Sequence, residues 1–168
     1  MAAHDVAIRP IRPGEHEALG ELTLAAYRTV PGYGPSTEYA ETLGDVGARA
    51  EAAEVLVAVD ADGTLLGGVT YVPGQGPLAE FEGENEAGIR MLAVSPSVQR
   101  GGVGRRLVQA CIDRANEAGR TAIVLHTTPA MTAAHALYES LGFRRAPALD
   151  AELSYTRLLA YTLALSPR

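Results

Sequence analysis

The stretch MLAVSPSVQRGGVGR, residues 91–105, decides the fold because it joins a strand to a helix through a glycine-rich loop. Its apolar start belongs to a run, residues 89–94, that predicts a buried strand. The loop contains Gly101, Gly102 and Gly104, and the lack of a Cβ lets the backbone N–H groups approach a ligand closely. These groups stand at a helix N-terminus, where unpaired donors and the dipole favour an anion. The segment therefore predicts a cradle for a pyrophosphate.

Two common pyrophosphate-binding motifs, the dinucleotide fingerprint and the nucleotide P-loop, can be excluded. Each contact with a helix dipole contributes about 0.3–1 kcal/mol, whereas a micromolar ligand needs about 8 kcal/mol. Several amides must therefore act together with Arg100 and Arg105. A dinucleotide fingerprint that starts at Gly102 requires glycine where the chain has Leu107, and a nucleotide P-loop requires a lysine, which the chain lacks. Without a ligand, the same glycines would only permit a tight turn between strand and helix.

Composition indicates a single soluble domain, residues 1–168. Folding at this length buries roughly 70% of the surface that the unfolded chain exposes, and 47% of the residues are hydrophobic, which argues against disorder. The net charge of −6 gives no general attraction to nucleic acid or to an anionic membrane. The single cysteine, Cys111, lies on an apolar helical stripe, so we expect a packed thiol in a cytoplasmic protein. No combination of residues indicates a metal site.

The predicted order of elements is β-α-α-β-β-β-α-β-α-β, which indicates a mixed α/β or α+β domain. Asp62-Gly63 is a strong signal for a hairpin turn between the second and third strands. The pattern also allows a short additional strand near Phe143. The strands are expected at residues 6–8, 54–60, 64–72, 89–94, 122–127 and 155–165, and the helices at 15–28, around 39–50, at 103–118 and at 131–141.

Two motifs resemble the GNAT superfamily of N-acetyltransferases. Gln99-Arg-Gly-Gly-Val-Gly104 matches the cofactor signature of that family, Gln/Arg-x-x-Gly-x-Gly/Ala. Ala134-His-Ala-Leu-Tyr-Glu-Ser-Leu-Gly-Phe143 matches a second signature at the usual distance, and residues 90–94 are similar to the fourth strand of the family. The resemblance implies a mixed, mostly antiparallel sheet of six to seven strands, flanked by four helices and splayed between strands 4 and 5.

The resemblance also implies acetyl-CoA as cosubstrate. A bulge in the fourth strand would open a gap for the pantetheine, and one unpaired amide could stabilise the oxyanion. Backbone groups in that strand would pair with the pantetheine, and those of the glycine-rich loop would bind the diphosphate. The implied cofactor-binding residues are Leu92, Ala93, Val94, Gln99, Arg100, Gly101, Gly102, Val103, Gly104, Arg105 and Ala134.

Tyr138 matches the position of the family's general acid, and a phenol with a pKa near 10 can protonate a leaving thiolate. On an amphipathic helix it could equally be a core tyrosine. Two positions depart from the family pattern: Gly88 stands where many members carry glutamate, and Met131 replaces the usual asparagine. The general base therefore stays open among Glu86 acting through a water, His126, and water itself.

These features favour acetyl transfer to a primary amine by direct attack through a tetrahedral intermediate. The alternative is a non-catalytic sensor or scaffold of the same fold that binds acyl-CoA. The acceptor is expected to be a small-molecule or peptide amine, and Tyr27, Tyr33 and Tyr39 could line its pocket or pack between the first two helices. Four loop glutamates, at positions 80, 82, 84 and 86, could attract a cationic acceptor or be merely solvated. The long last strand would allow a homodimer.

Overall fold

The structure, a computed structural model, describes residues 5–31, 37–98, 101–153 and 156–166. Eight strands are present in these ranges: β1 (Ala7–Pro10), β2 (Glu54–Val59), β3 (Leu65–Val72), β4 (Glu86–Val94), β5 (Ala122–Thr127), β6 (Arg144–Arg145), β7 (Ala151–Glu152) and β8 (Arg157–Ala164). The α-helices are α1 (His16–Tyr27), α2 (Thr37–Gly44), α3 (Val46–Ala52), α4 (Val103–Glu117) and α5 (Thr132–Ser140).

The strands form one mixed sheet in the order β1-β2-β3-β4-β5-β8-β6, and β7 pairs with β8. Every pairing is antiparallel except that of β4 with β5. The predicted fold class is therefore confirmed, with more elements than expected. The additional strands β6 and β7 are only two residues long. The expected second helix is divided because the Asp45 carboxylate accepts the Ala48 N–H at 3.1 Å and begins a separate helix, α3.

Helices cover both faces of the sheet. On one face, the predicted stripe of α4 is buried against the sheet together with α5, and Cys111 is one of its fully buried members. Burial raises the pKa of this thiol to about 12, so the expectation of a packed thiol is confirmed. On the other face, α1 and α3 pack against β2, with Leu19 and Val46 in the core. The stripe consists of Val103, Leu107, Cys111 and Ala115.

The sheet parts between β4 and β5. Their parallel ladder runs from the pair Glu86–Ala122 to the pair Ile89–Leu125 and ends there. The remaining residues of β4, 90–94, are paired with β3 only among the described strands. The predicted splay between strands 4 and 5 is therefore confirmed. Strand β4 begins at Glu86, three residues before the expected start, because Glu86 to Gly88 already pair with β5.

A buried carboxylate fixes the segment that follows β6. The Asp150 side chain is 7% exposed, accepts two hydrogen bonds of 2.8 Å from Arg145 and accepts the Ala160 N–H at 2.7 Å. Arg157 adds a contact of 3.0 Å. These partners hold the pKa of Asp150 well below its usual range, with the Arg145 hydrogen bond as the largest cause. The clamp secures the short 3-10 helix Pro147–Leu149 against β8.

Because the folded-state pKa of Asp150 is depressed, its ionised form stabilises the fold above the unfolded pKa of about 3.9, and this contribution is lost as pH falls through the folded value. We expect Asp150→Asn to lower Tm at pH 7, with the difference from the wild-type chain narrowing below about pH 4. Thermal unfolding followed by circular dichroism measures both effects. Asp113→Asn, at an exposed carboxylate on α4, is the control. Equal Tm values for the Asp150 variant and the wild-type chain at pH 7 would contradict the clamp.

Candidate active site

A β-bulge at Met91 and Leu92 interrupts β4 where the sheet parts. Gly68 pairs with Ala93 and Thr70 pairs with Arg90, so a single residue of β3 lies opposite two residues of β4. Among the described residues other than glycine, only Met91 has a positive φ, at 53°. A residue held in this region costs about 1–3 kcal/mol. A bulge also leaves a backbone group without its ladder partner and bends the strand. This group therefore lies beside the gap between β4 and β5.

A cavity of about 550 Å³ opens along this parted half of β4. Its volume lies within the range of about 300–1,000 Å³ that is usual for small-molecule sites. The end of α1, the parted half of β4, the start of α4 and the start of α5 form its walls. Eight predicted cofactor-binding residues line this one cavity: Leu92, Ala93, Val94, Gly102, Val103, Gly104, Arg105 and Ala134.

The start of α4 presents backbone donors to the cavity. Gly102 is the N-cap of the helix in the left-handed conformation, with φ 81° and no capping side chain. The first bond of the helix runs from the Arg106 N–H to the Gly102 carbonyl, so the N–H groups of residues 103–105 have no acceptor within the helix. The Gly101 N–H donates to Val98 at 3.3 Å and is part of a turn. Gln99 and Arg100 lie outside the described residues.

Side chains at the start of α4 set the width of the cavity. A Cβ placed on Gly104 would lie 3.3 Å from the Leu137 side chain and 3.5 Å from Val94. The absence of this Cβ therefore leaves space in the cavity between Val94 and Leu137. Arg105 donates to the Ser140 hydroxyl at 2.5 Å and thereby ties α4 to α5. The result is a cleft with a backbone edge on one side and an anion-binding helix terminus at one end.

The sequence profile of the Acetyltransferase (GNAT) family matches residues 17–143. The chain belongs to this family. It is similar to mycothiol acetyltransferase from Pseudarthrobacter chlorophenolicus, with 33% identity over 148 residues that cover 83% of this chain and 43% of that protein. It is also similar to [ribosomal protein bS18]-alanine N-acetyltransferase from Escherichia coli strain K12, with 42% identity over 62 residues, 37% of this chain and 42% of that protein. Each match covers less than half of the relative's length.

Solved structures of GNAT proteins share the whole fold. A GCN5-related N-acetyltransferase from Kribbella flavida has a TM-score of 0.76 and 26% identity, over 98% of this chain and all of that one. A GNAT family acetyltransferase from Brucella melitensis, solved in complex with acetyl-CoA, has a TM-score of 0.65 and 25% identity, over 98% of this chain and 90% of that one. Acetyl-CoA is therefore the cosubstrate seen in structures of this family, and the cleft of this GNAT chain has the backbone edge and helix terminus to receive it.

Two negative findings accompany the family assignment. Within residues 5–31, 37–98, 101–153 and 156–166, no group of three or more His, Cys, Asp or Glu side chains is arranged to hold a metal ion. In the same ranges, no helix combines the length and the apolar character needed to cross a membrane.

The GNAT tyrosine position, Tyr138, is buried in this chain. The side chain is 6% exposed and packs between Phe143 and Tyr161, with ring centroids 5.6 and 6.2 Å away. Burial raises the pKa of the phenol well above its usual value, so the hydroxyl is protonated at neutral pH. The preceding residue, Leu137, lines the cavity, whereas Tyr138 is absent from the described lining. Tyr138 therefore belongs to the core cluster against which the lining residues Leu92, Val94 and Leu137 pack.

The two candidate bases occupy different places. The Glu86 carboxylate accepts the Gly83 N–H at 2.9 Å at the start of β4, five residues before the bulge. His126 is the first residue of β5 beyond the last pair with β4. Its Nε2 atom lies 3.0 Å from the Leu149 carbonyl oxygen, and its Nδ1 atom is buried without a partner. Of the two, His126 is closer in register to the parting.

The loop between β3 and β4 explains the missing glutamate at the GNAT position Gly88. A Cβ on Gly88 would lie only 2.8 Å from the Phe81 ring and 3.4 Å from the Val124 carbonyl oxygen. Phe81 thus occupies the space that a side chain at position 88 would need. The loop is also held by a salt bridge of 3.0 Å between Glu80 and Arg90, so Glu80 is a structural partner rather than only a solvated charge.

Several residues in and beside the cavity were not predicted from the sequence. The end of α1 and the segment that follows it form one wall of the cavity, and Thr29 in this wall was not predicted. Tyr27, which also lines it, was among the tyrosines expected either in an acceptor pocket or between the first two helices. Arg90 also went unassigned, although a single charge inside the apolar strand IRMLAV was a usable signal. Tyr33 lies outside the described residues. The remaining lining residues that were not predicted are Ala26, Val30, Pro31, Ala130, Thr132, Ala133 and Leu137.

We expect Gly88→Ala to destabilise the chain by about 1–3 kcal/mol through overpacking against Phe81. For a chain of this size, such a loss lowers Tm by about 2–12 °C. Gly76→Ala is the matched control, because nothing lies within 4 Å of a Cβ at that loop position. Thermal unfolding of the two variants under one condition makes the comparison. A stable Gly88→Ala chain would show that Phe81 does not exclude a side chain there.

Proposed function

We propose that this chain is an acetyl-CoA-dependent N-acetyltransferase that moves the acetyl group to a primary amine by direct attack through a tetrahedral intermediate. The observation that carries the proposal is the cleft at the Met91 bulge, where β4 has parted from β5 and the N-terminus of α4 lies at the same cavity. A chain of amides ending in a diphosphate has the chemistry to fill both parts of such a cleft at once.

The two ends of the cosubstrate would meet different backbone groups. The pantetheine amides would pair with Leu92, Ala93 and Val94, as a neighbouring strand does. The diphosphate would accept hydrogen bonds from the first turn of α4, with Arg105 supplying positive charge. We assign Gly102, Val103 and Gly104 to this diphosphate site. Ala134, on α5, would contact the cofactor from the opposite wall.

The unpaired backbone of the bulge would stabilise the transition state. When the amine attacks, the thioester carbonyl oxygen becomes an oxyanion, and an N–H held at the bulge can donate to it. In other enzymes, removal of one such donor costs about 2.7–4 kcal/mol. The bulge is built into the sheet, so the donor requires no rearrangement during the reaction. This role would give a functional reason for the positive φ of Met91, whose cost is offset by the packing around it.

Proton balance assigns a role to Tyr138. The attacking amine must lose a proton, and the sulfur of coenzyme A must gain one as its bond to the acetyl carbon breaks. A phenol that stays protonated at neutral pH can donate to that sulfur. We propose Tyr138 as this acid, acting at the parted strands. The amine would lose its proton to His126, to Glu86 through a water, or to water.

The second candidate function is a non-catalytic sensor or scaffold that binds acyl-CoA. Gly88 in place of glutamate, Met131 in place of asparagine and the burial of Tyr138 favour it. Release of free thiol from acetyl-CoA, measured colorimetrically across a broad panel of primary amines, separates the two functions. Turnover with any amine supports the enzyme. Acetyl-CoA binding by calorimetry without turnover across the panel would replace the enzyme by the sensor.

We expect Tyr138→Phe to lower kcat tenfold or more, because the acid is lost, while the Kd for acetyl-CoA changes by less than about twofold. Steady-state thiol release and calorimetry measure the two quantities. Tyr161→Phe is the matched control, because it removes a neighbouring hydroxyl, 3.4 Å from Glu139, that we place outside the reaction. Unchanged kcat in Tyr138→Phe would remove this residue from the mechanism.

The acceptor is proposed to be a small-molecule or peptide amine, with neither nucleic acid nor membrane as a partner. The net charge of −6 supports this choice. A cytoplasmic location is proposed on the free thiol of Cys111. The homodimer expected from the long last strand stays a prediction. Both edges of β8 already have partners within the chain, β5 on one side and β6 and β7 on the other.

A further inference from the structure

Two buried polar atoms without a hydrogen-bond partner lie on the residue row directly before the bulge, and a third belongs to Arg49, whose pKa is affected by the charge of Arg90. Among the described residues, buried side-chain atoms without a hydrogen-bond partner include Arg49 Nε, Thr70 Oγ1 and His126 Nδ1. Thr70 is the register partner of Arg90 on β3. His126 follows the last residue of β5 that pairs with β4, and Arg90 follows the last such residue of β4. We call Arg49, Thr70, Glu80, Arg90 and His126 the Arg90 cluster.

The strand members of the cluster share one face of the sheet. Side chains alternate along a strand, so Arg90 lies on the face of Gly88 and His126 on the face of Val124. A Cβ on Gly88 would meet the Phe81 ring, and Val124 belongs to the same apolar cluster as Phe81, which places these two positions on the same side. The cluster therefore occupies the side of the parted strands that faces away from α4. Met91 packs on that side with Tyr27, a residue that lines the cavity.

The charges of the cluster are incompletely paired. Arg49 is 4% exposed, and its Nη1 donates to the carbonyls of Thr42 and Leu43, at 3.0 and 2.8 Å, at the end of α2. No carboxylate lies in ion-pair contact with it among the described residues. Burial lowers the pKa of Arg49 most, and the like charge of Arg90 lowers it further. The helix end satisfies one nitrogen and leaves Nε without an acceptor.

Arg90 and His126 add a second cation and a hydrogen-bond acceptor to the Arg90 cluster. Arg90 has the Glu80 carboxylate at 3.0 Å and remains partly exposed. His126 Nε2 faces a carbonyl oxygen, so it carries the proton, and Nδ1 is left as an acceptor. Two guanidinium groups suit a carboxylate, since their planar donors match its two oxygens. A free acceptor nitrogen beside them suits the N–H of an amine.

We propose that the acceptor is a small amine that also bears a carboxylate, such as a free α-amino acid, with the carboxylate bound by Arg49 and Arg90. The assignment rests on the proposed acetyltransferase function and names its substrate class. Arg90 directly precedes the bulge, so a carboxylate on Arg90 would leave an amine a few bonds away at the parted strands. Thr70 Oγ1 would donate to the same carboxylate, and His126 Nδ1 would accept a hydrogen bond from the amine.

The test compares three forms of each acceptor in the thiol-release assay. The panel is the set of proteinogenic L-amino acids, each beside the amine that lacks its carboxylate and beside its α-amide. For the preferred side chain, we expect kcat/KM to be at least tenfold higher with the carboxylate present. In Arg90→Met and Arg49→Met this preference should fall at least tenfold, mainly through KM, while the Kd for acetyl-CoA changes less than twofold.

Controls separate recognition from stability. Arg114→Met removes an arginine that pairs with Glu54 at 3.7 Å, away from the cluster, and should leave the preference unchanged. Because Arg49 is buried and holds the end of α2, its Tm is measured alongside. If Arg49→Met does not fold, Arg49→Lys, which keeps the charge but loses the planar donors, and Arg90→Met decide the question.

The outcomes distinguish this proposal from the function on which it rests. Thiol release confined to amines without a carboxylate, or a carboxylate preference that Arg90→Met retains, overturns the subsite and leaves the acetyltransferase intact. Acetyl-CoA binding without release from any member of the panel or from other primary amines overturns both. A preference that is lost in the Arg90 variant and kept in the Arg114 control supports the subsite.

Discussion

The interruption of backbone pairing at Met91 is the constraint on which the rest of the molecule depends. A regular β4 would continue its parallel ladder with β5 past Ile89, and the sheet would be closed. The ladder with β5 ends just before the bulge, residues 90–93 have no ladder pairing with β5, and Met91 is held at a φ that costs free energy. The core on both faces makes the interruption tolerable, since β3 and the packed stripe of α4 hold β4 in place.

The parted strands divide the site between two faces of the sheet. Toward α4 and α5, the cavity offers backbone donors, small residues and one arginine, Arg105, which is the chemistry of a diphosphate and an amide chain. Toward α1–α3, the Arg90 cluster offers guanidinium groups, an imidazole and a hydroxyl. In the proposed reaction, this gap in the sheet would bring the two reactants together from opposite sides, and the acetyl group would be transferred where the faces meet.

Local sequence rules predicted most of the helices and strands, and they predicted which backbone segments of β4 and α4 line the cavity, but not the division of the second helix or the short strand β7. Spacing along the chain is enough to predict the turn at Gly101, Gly102 and Gly104 and the buried stripe of α4. The acceptor half of the proposed site could not be predicted in this way. Arg49 and Phe81 lie about 40 and 10 residues before Arg90 in the sequence, and only the fold places them on the same side of the sheet. The amphipathic pattern of α5 allowed a core position for Tyr138, but its packing against Phe143 and Tyr161 arises only in the folded chain.

Amide hydrogen exchange with and without saturating coenzyme A tests most directly whether the open edge of β4 and the start of α4 form one binding site. The account predicts slower exchange in peptides that cover residues 91–105, and unchanged exchange in β2, which lies two strands away. Unchanged exchange at residues 91–105, in the presence of coenzyme A at a concentration that gives full binding by calorimetry, would contradict it.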